Sequence, residues 1–243
     1  MTPLLHSSLL AAFPALLHGF TERSHGNIAF HVGDDADAVQ LRQKELSEAL
    51  GYDLDRLVHM RQIHSDRIVS VDASCRYAAP PECDAVITDS SDTPLMVMVA
   101  DCTPLLLFEP KRRVIAAVHA GRAGAFENIV GKTVAAMQRD FACDVKQLRV
   151  VLGPSIGVCC YEVGDLINEE ARDKGFGYAM QNIEGRHCLN VNAILLRQLK
   201  DAGVEHIEVM PYCTSCEKER FFSYRAEAGR TGRLAGIIML KED

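Results

Sequence analysis

The sequence contains no tryptophan, no excess of basic charge and no apolar run of membrane-spanning length. Its formal net charge of −7 argues against a protein that binds nucleic acid, because such proteins present a dense basic surface. Internal repeats, low-complexity tracts and linkers are also missing. With 243 residues, 48% of them apolar, the chain is expected to form one catalytic domain over residues 1–243 with a substantial core. Small-molecule chemistry fits these properties best.

Nine cysteines raise the question of a disulfide scaffold, but the number is odd and the chain is long for such a scaffold. The apolar stretch Leu4 to Leu17 lacks the basic start of a secretory signal and is interrupted by polar residues and Pro14. It is predicted to be a first strand or a core-packing segment. A reducing, cytoplasmic location is therefore expected, with no membrane partner.

Apolar periodicity predicts a mixture of helices and short strands. Helices are predicted over residues 36–50, 126–141 and Val191 to Ala202. Strands of one central sheet are predicted at Arg67 to Val71, Ala85 to Thr88, Leu95 to Val99, Leu105 to Phe108 and Val114 to Val118, with further strands at Leu148 to Leu152, Ile207 to Met210 and Leu234 to Leu240. Pro80-Pro81 and the Gly175 to Gly185 region are predicted loops. Strands and helices without strict alternation favour a mixed α/β (α+β) sandwich over a doubly wound parallel fold.

Three short motifs each place a metal-binding residue where a predicted strand runs into a loop. They are Gln62-Ile63-His64-Ser65, Ala100-Asp101-Cys102-Thr103-Pro104 and Val118-His119-Ala120-Gly121. Two imidazoles and one thiolate suit zinc, and the thiolate also tolerates copper. A structural zinc site normally has four protein ligands, whereas a catalytic one has about three and an open position. The three motifs together therefore predict a catalytic metal site at His64, Cys102 and His119.

Further motifs accompany these three, in order, along nearly the whole chain. They are His18-Gly19-Phe20, Val32-Gly33-Asp34-Asp35, Asp84-Ala85-Val86-Ile87-Thr88, Gly153-Pro154-Ser155-Ile156-Gly157, Cys160-Tyr161-Glu162-Val163-Gly164 and Phe221-Phe222-Ser223-Tyr224-Arg225. The set resembles the YfiH-type proteins, formerly labelled polyphenol oxidase or laccase-domain proteins and now regarded as purine nucleoside phosphorylases. The resemblance implies mixed β-sheets sandwiched and flanked by helices.

The resemblance also implies a site and an activity. The family's catalytic zinc ligands correspond to His64, Cys102 and His119. The implied reactions are phosphorolysis of adenosine, inosine, guanosine and S-methyl-5'-thioadenosine, and deamination of adenosine. Where the family usually continues its last metal motif with tryptophan, arginine and glycine, this chain has Arg122, Ala123 and Gly124. The ligands survive this departure, but the adjoining pocket wall differs.

Phosphorolysis needs cationic groups near the attacking anion, and the candidates are Arg23, Arg122 and Arg225. Asp101 is a candidate to orient a metal ligand through a hydrogen bond. Tyr161, Phe222 and Tyr224 are candidates for stacking on a purine or for packing in the core. Purine nucleosides and phosphate are the expected partners, no nucleic acid is expected, and a homo-oligomer is left open.

Several other functions compete for the same residues. Cys102 with His119 or His64 as base would make a cysteine-nucleophile hydrolase. Some bacterial members of the resembled family suggest editing of peptidoglycan precursors. A copper-dependent polyphenol oxidase matches the older family label but needs more paired histidines than this chain has. A binding module without turnover is a further alternative.

Two local patterns are weaker. Gly153 to Gly157 matches a serine nucleophile elbow, but the following residues are a poor helix start. His206-Ile207-Glu208 followed by Cys213 and Cys216 resembles the nucleobase-deaminase signature with the wrong spacing. A second cysteine pair would be needed for a structural zinc at Cys213 and Cys216, so two reduced thiols in a loop are expected there.

Overall fold

The computed structural model describes residues 2–242. Its helices are α1 (Ser8–Ala11), α2 (Ala36–Leu50), α3 (Arg122–Phe126), α4 (Ile129–Phe141), α5 (Asp165–Asp173) and α6 (Val191–Asp201). Its strands are β1 (Leu16–Phe20), β2 (Val58–His59), β3 (Ile68–Ser70), β4 (Ala85–Thr88), β5 (Leu95–Val99), β6 (Thr103–Glu109), β7 (Val114–Ala120), β8 (Arg149–Leu152), β9 (Met180–Ile183), β10 (Arg186–Leu189), β11 (His206–Val209) and β12 (Leu234–Leu240). Within the described range, no helix is both long and apolar enough to cross a bilayer.

Two mixed sheets pack face to face. The larger has the strand order β11-β8-β6-β7-β4-β3, and the smaller has the order β1-β12-β5-β2. Each contains parallel and antiparallel neighbours, while β9 and β10 form a separate antiparallel hairpin. Side chains from one face of each sheet fill the space between the two sheets.

Alternation along the strands divides the core into layers. In β7, Ile115 and Ala117 face the smaller sheet, while their neighbours join the core beneath α4 and α6. In β5, Leu95 and Val97 face the larger sheet, whereas Met96 packs on the α2 side with Leu46. Successive side chains of a strand point to opposite faces, so each sheet is apolar on both faces and must be covered twice. The predicted α/β sandwich with flanking helices is confirmed.

Helix α2 occupies the predicted range because local caps define both of its ends. The Asp35 side chain accepts a hydrogen bond from the amide of Ala38, and Gly51 ends the helix in the left-handed region at φ 74°. The predicted helix over residues 126–141 instead begins at Ile129. Asn128 adopts φ 59° and caps α4, so the predicted helix is interrupted between α3 and α4.

Two other predictions about the fold were wrong. The region Gly175 to Gly185 is not a loop throughout, since it contains β9 and the turn of a hairpin. Glu184 and Gly185 both have positive φ, at 52° and 81°, as a tight two-residue hairpin turn requires. The predicted single central sheet is divided, because β5 belongs to the smaller sheet. The segment Leu4 to Leu17 packs in the core, as predicted, through α1 and the start of β1.

Strand direction brings distant residues to one edge of the larger sheet. Strand β7 is antiparallel to both β4 and β6, with Ala85 opposite Val118 and Thr103 opposite Ala120. The residues that precede β4 and β6 therefore lie beside the last residues of β7. The functional site is built at this edge.

Candidate metal centre and substrate cavity

The side chains of His64, Cys102 and His119 meet at the edge where β7 ends. One ligand atom from each of the three lies within 4.8 Å of those from the other two. The two imidazole rings are nearly perpendicular, at 87°, with centroids 4.8 Å apart. Cys102 directly precedes β6, and His119 is the next-to-last residue of β7, so the antiparallel pairing places the two side by side.

Asp84 fixes two of these residues from the interior. Its buried carboxylate lies 2.8 Å from Nδ1 of His119 and accepts hydrogen bonds from the amides of His64 and Ser65 at 3.1 and 2.7 Å. The Ser65 hydroxyl donates a further bond to it at 2.8 Å. Burial opposes ionisation of this carboxyl, but the bonds from His119 and Ser65 outweigh it and lower its pKa to about 2. An imidazole held at Nδ1 in this way presents Nε2 to a metal.

The electrostatics of Cys102 and His119 depend on each other. Burial opposes the charged form of each, but the pair attracts, so the pKa of the Cys102 thiol falls and that of the His119 imidazole rises. Asp84 raises the pKa of His119 further. The site therefore favours the thiolate, which is the form of cysteine that binds metals and acts as a nucleophile.

Gly121 leaves the space that the three side chains occupy. A Cβ atom at this position would lie 3.0 Å from Cys102 Sγ, 3.2 Å from His64 Cδ2 and 3.9 Å from His119 Cε1. The glycine has φ −77° and ψ 178°, which any residue adopts. Glycine is therefore suited to this position for steric reasons, because a larger residue would push the three side chains apart. Two imidazoles and a thiol around such a space are a donor set that fits zinc and tolerates copper.

A cavity of about 700 Å³ opens above the three side chains. This size is within the range of small-molecule sites. Its lining includes His31, Arg61, Gln62, Met98, Asp101, Arg122, Ile156, Tyr161, Tyr224, Arg225 and Arg233, besides His64, Cys102, His119 and Gly121. Four guanidinium groups among these give the walls a positive character.

The four arginines differ in how they are held. Arg122 pairs with Glu170 at 2.9 Å, and Arg225 donates to the carbonyl oxygen of Glu162 at 2.8 Å. Arg233 donates to the carbonyl oxygens of Thr231 and Gly232, both at 3.0 Å, and burial lowers its pKa. Arg61 and Arg233 were not identified from the sequence, because no local motif marks them and their position depends on the packing of distant segments.

Of the other predicted substrate residues, only some reach the cavity. Tyr161 and Tyr224 line it, with the guanidinium of Arg225 5.3 Å from the centre of the Tyr161 ring. Arg23 does not line it, since its guanidinium pairs with Glu227 at 2.7 Å and lies over the ring of Phe222. Phe222 is itself buried in the core between the sheets. The geometry therefore favours Arg122 and Arg225 over Arg23 as anion ligands.

Comparison with known proteins decides the family. Residues 18–241 match the family described as multi-copper polyphenol oxidoreductase laccase. The chain belongs to this family. A relative from Corynebacterium glutamicum named as a purine nucleoside phosphorylase is 38% identical over 218 residues, covering 89% of this chain and 87% of that protein. A relative from Streptomyces coelicolor, also named as a purine nucleoside phosphorylase, is 36% identical over an alignment that covers 91% of this chain and 94% of that protein.

Solved structures agree with the family match and confirm the YfiH-type resemblance. The crystal structure of Bacillus licheniformis YfiH has a TM-score of 0.88 at 31% identity, covering 93% of both chains. That of YlmD from Geobacillus stearothermophilus also has a TM-score of 0.88 at 31% identity, covering 95% of this chain and 93% of its own. The fold described above is thus the YfiH-type fold.

This member departs from the family motif after Gly121, and the structure shows the local result. Arg122 is the first residue of α3 and turns its guanidinium to the cavity wall, 5.5 Å from the centre of the Phe126 ring. The departure therefore keeps an arginine in the cavity wall, one position earlier than in the family motif.

Asp84, and not the predicted Asp101, is the aspartate that contacts a candidate metal ligand. Asp101 does not bond His119; its carboxylate accepts the Thr214 hydroxyl and the amide of Arg225, both at 2.6 Å. Asp84 has the orienting contact instead. It could have been found as the residue directly before a strand that is antiparallel to β7, but this requires the strand order.

The two competing motifs do not form the sites that their patterns suggest. After Ser155 the chain makes a turn, and the next helix starts only at Asp165, so there is no nucleophile elbow. The Ser155 hydroxyl accepts a bond from Asn192 at 3.1 Å. Glu208 lies on β11 and binds the amide of Leu9 at 2.8 Å, so the deaminase signature is not assembled.

Proposed function

We propose that the protein is a zinc-dependent purine nucleoside phosphorylase that acts on adenosine, inosine, guanosine and S-methyl-5'-thioadenosine and also deaminates adenosine. The observation that carries the proposal is the convergence of His64, Cys102 and His119 at the floor of a cavity lined by arginines. The names of the family relatives support the same reaction. When bound, zinc supplies a Lewis acid at the cavity floor, which serves phosphorolysis and hydrolytic deamination alike.

The chain's own residues have distinct roles in this proposal. His64, Cys102 and His119 hold the metal, and Asp84 keeps the His119 ring oriented. In phosphorolysis, a phosphate oxygen bonds to C1′ of the ribose while the bond from C1′ to the purine breaks and its electron pair leaves with the base. A dianionic reactant must be brought to an electron-poor carbon without losing its orientation.

The cavity walls supply that orientation. Arg122 and Arg225 bind the phosphate, since guanidinium groups match its oxygens with paired hydrogen bonds. Tyr161 and Tyr224 stack on the purine, and their rings lie in the same cavity as the guanidinium groups. Each ring also has a cation beside it, Arg225 at Tyr161 and Arg233 at Tyr224.

A product assay tests the reaction. The purified protein is incubated with each of the four nucleosides, with and without phosphate, and products are identified by liquid chromatography and mass spectrometry. Free base and the corresponding sugar 1-phosphate formed only with phosphate support phosphorolysis, and inosine formed from adenosine supports deamination. Absence of both would contradict the proposal. Parallel reactions with peptidoglycan precursors and with phenols under oxygen test the editing and oxidase alternatives.

A variant tests the metal. Cys102→Ser should lose the metal at the cavity floor together with turnover, while Cys75→Ser, a half-buried cysteine outside the cavity, should keep both. If Cys102→Ser retained as much metal as the parent protein together with full activity, Cys102 would not be a ligand.

The second candidate is a cysteine-nucleophile hydrolase, which the contact series Asp84, His119, Cys102 favours. An acidic residue that holds a histidine next to a thiol is the arrangement that activates cysteine nucleophiles. Metal content separates the two functions. An active metal-free enzyme that is inactivated by iodoacetamide at Cys102 would support the hydrolase.

A further inference from the structure

Four cysteines outside the substrate cavity converge on a single point. They are Cys159, Cys160, Cys213 and Cys216, and their sulfur atoms all lie within 4.8 Å of one another. Sγ of Cys159 is 3.6 Å from that of Cys213 and 3.5 Å from that of Cys216, and Sγ of Cys160 is 3.3 Å from that of Cys216. Cys213 and Cys216 are free cysteines in a loop, as expected, and the fold brings to them the second pair that a structural zinc site would need.

The convergence follows from the topology of the larger sheet. Strands β8 and β11 are parallel neighbours, so the loops that follow them leave the sheet at the same edge. Ser155 and Cys213 form a β-bridge beyond the strands, and the amide of Thr214 donates to the carbonyl oxygen of Ser155 at 3.1 Å. One cysteine pair comes from each loop, and the bridge holds the two loops in register.

The sulfur positions match the dimensions of a tetrahedral zinc site. Zinc binds thiolate at about 2.3 Å, which places the sulfurs of a regular tetrahedron about 3.8 Å apart. The three pairs given above, at 3.3 to 3.6 Å, lie close to that value, and no pair exceeds 4.8 Å. An iron–sulfur cluster, which has several iron and sulfide atoms between its cysteines, needs a wider cage.

The surroundings of the sulfurs also suit a metal. The amide of Gly157 donates to Cys213 Sγ at 3.2 Å, and a Cβ at Gly157 would lie 3.1 Å from Cys159 Sγ. Amide donors to sulfur stabilise metal-bound thiolate, and a glycine lets the backbone approach it closely. Cys159 and Cys216 are exposed, so a metal ion can enter from solvent.

We propose that Cys159, Cys160, Cys213 and Cys216 bind a second, structural zinc ion. Four protein ligands close the coordination shell, so this metal has no position for a substrate and is not catalytic. It crosslinks the loop after β8 to the loop after β11. This inference does not depend on the reaction proposed for the cavity.

The crosslinked loops support one wall of the cavity. Ile156 and Tyr161 line the cavity from the first loop, and Arg225 reaches the carbonyl oxygens of Cys160 and Glu162 at 3.3 and 2.8 Å. Loss of the structural zinc should therefore loosen the wall that carries Tyr161. The KM for substrates should rise, while the metal at the cavity floor should stay bound.

Metal analysis of the intact chain tests the proposal. Tag-free protein, dialysed after zinc loading, should contain about two zinc ions per chain, and the double variant Cys213→Ser/Cys216→Ser about one. Cys75→Ser is the matched control and should keep both. Cys102→Ser should lose the other ion only, so failure of the cavity site and failure of this site are distinguished. A double variant with the same zinc content as the parent would overturn the proposal.

Spectroscopy keeps the test independent of folding defects in the cysteine variants. In Cys102→Ser, X-ray absorption at the zinc edge should show four sulfur neighbours at about 2.3 Å. Nitrogen or oxygen neighbours would overturn the assignment. So would disulfides joining these four cysteines in protein purified without oxygen, detected by mass spectrometry of nonreduced peptides.

Discussion

Replacing Gly121 with alanine isolates the packing of the cavity-floor site. The added methyl group would lie 3.0 Å from Cys102 Sγ and 3.2 Å from His64 Cδ2, closer than ordinary contact. The backbone at Gly121, with φ −77° and ψ 178°, accommodates alanine without strain. The substitution should therefore act only by displacing the side chains of the candidate ligands.

The magnitude follows from overpacking. Forcing an extra methyl into a filled site typically costs about 1–3 kcal/mol. If that energy is relieved only by moving Cys102 or His64 away from the metal, zinc affinity should fall by about 5- to 150-fold. The stability of the metal-free protein should change much less, because the ligands can move apart when no metal holds them.

Gly164→Ala is the matched control for this variant. Gly164 precedes α5 as Gly121 precedes α3, and its backbone has nearly the same dihedral angles, φ −74° and ψ 170°. A Cβ at Gly164 would meet nothing within 4 Å. Both variants therefore lose glycine at a helix N-cap, and both gain the same reduction in unfolded-state entropy.

Competition with a chromogenic chelator gives the zinc affinity, and thermal unfolding of metal-free samples gives the stability. Turnover with saturating metal is measured beside them. The reasoning fails if Gly121→Ala and Gly164→Ala bind zinc within about twofold of each other, since overpacking of about 1 kcal/mol or more predicts a larger gap.

Three further changes have expected outcomes. Asp84→Asn should weaken zinc binding by about 10- to 100-fold, since it removes the charge that holds His119; unchanged affinity in the chelator titration would contradict this. Arg122→Gln should raise KM for phosphate by about tenfold or more, while Arg23→Gln, outside the cavity, should leave it unchanged in steady-state assays. Burial and neighbouring His6 lower the pKa of His18 to about 4, so the unfolded chain binds more protons between pH 4 and 6.5. The free energy of unfolding should rise by up to about 3 kcal/mol across that window, and His18→Gln should lose this part of the slope in denaturant titrations; an unchanged slope would exclude His18 as its source.

The convergence of His64, Cys102 and His119 could be predicted from sequence because each of them lies in a recognisable local motif. Cys102 and His119 sit where apolar β-rich runs end, and such ends meet when strands pair. Helix α2 was equally clear, since Asp35 and Gly51 mark both its ends by local chemistry. What these features share is that the information lies within a few residues of the position concerned.

Features that depend on strand order could not be predicted in the same way. The role of Asp84 requires β4 to lie beside β7, and the assignment of β5 to the smaller sheet requires its pairing with β12. The cysteine cluster is the clearest case, because its two pairs are more than fifty residues apart and meet only through the parallel pairing of β8 and β11. Periodicity along the chain carries no record of which strands are neighbours.

Asp101 connects the candidate metal site at the cavity floor with the cysteine cluster. It is covalently next to Cys102, and its carboxylate accepts the hydroxyl of Thr214, which lies between Cys213 and Cys216. The same carboxylate accepts the amide of Arg225, whose side chain crosses to the loop of Cys160. Cys102 and His119 stand at the ends of buried strands, whereas His64 and much of the cavity wall belong to loops. Rigid strand ends preserve ligand geometry, and loops tied to them at a few points can vary in sequence without moving the metal. A change after Gly121, such as the one that places Arg122 in the wall, can therefore alter substrate preference while leaving the three ligands in place.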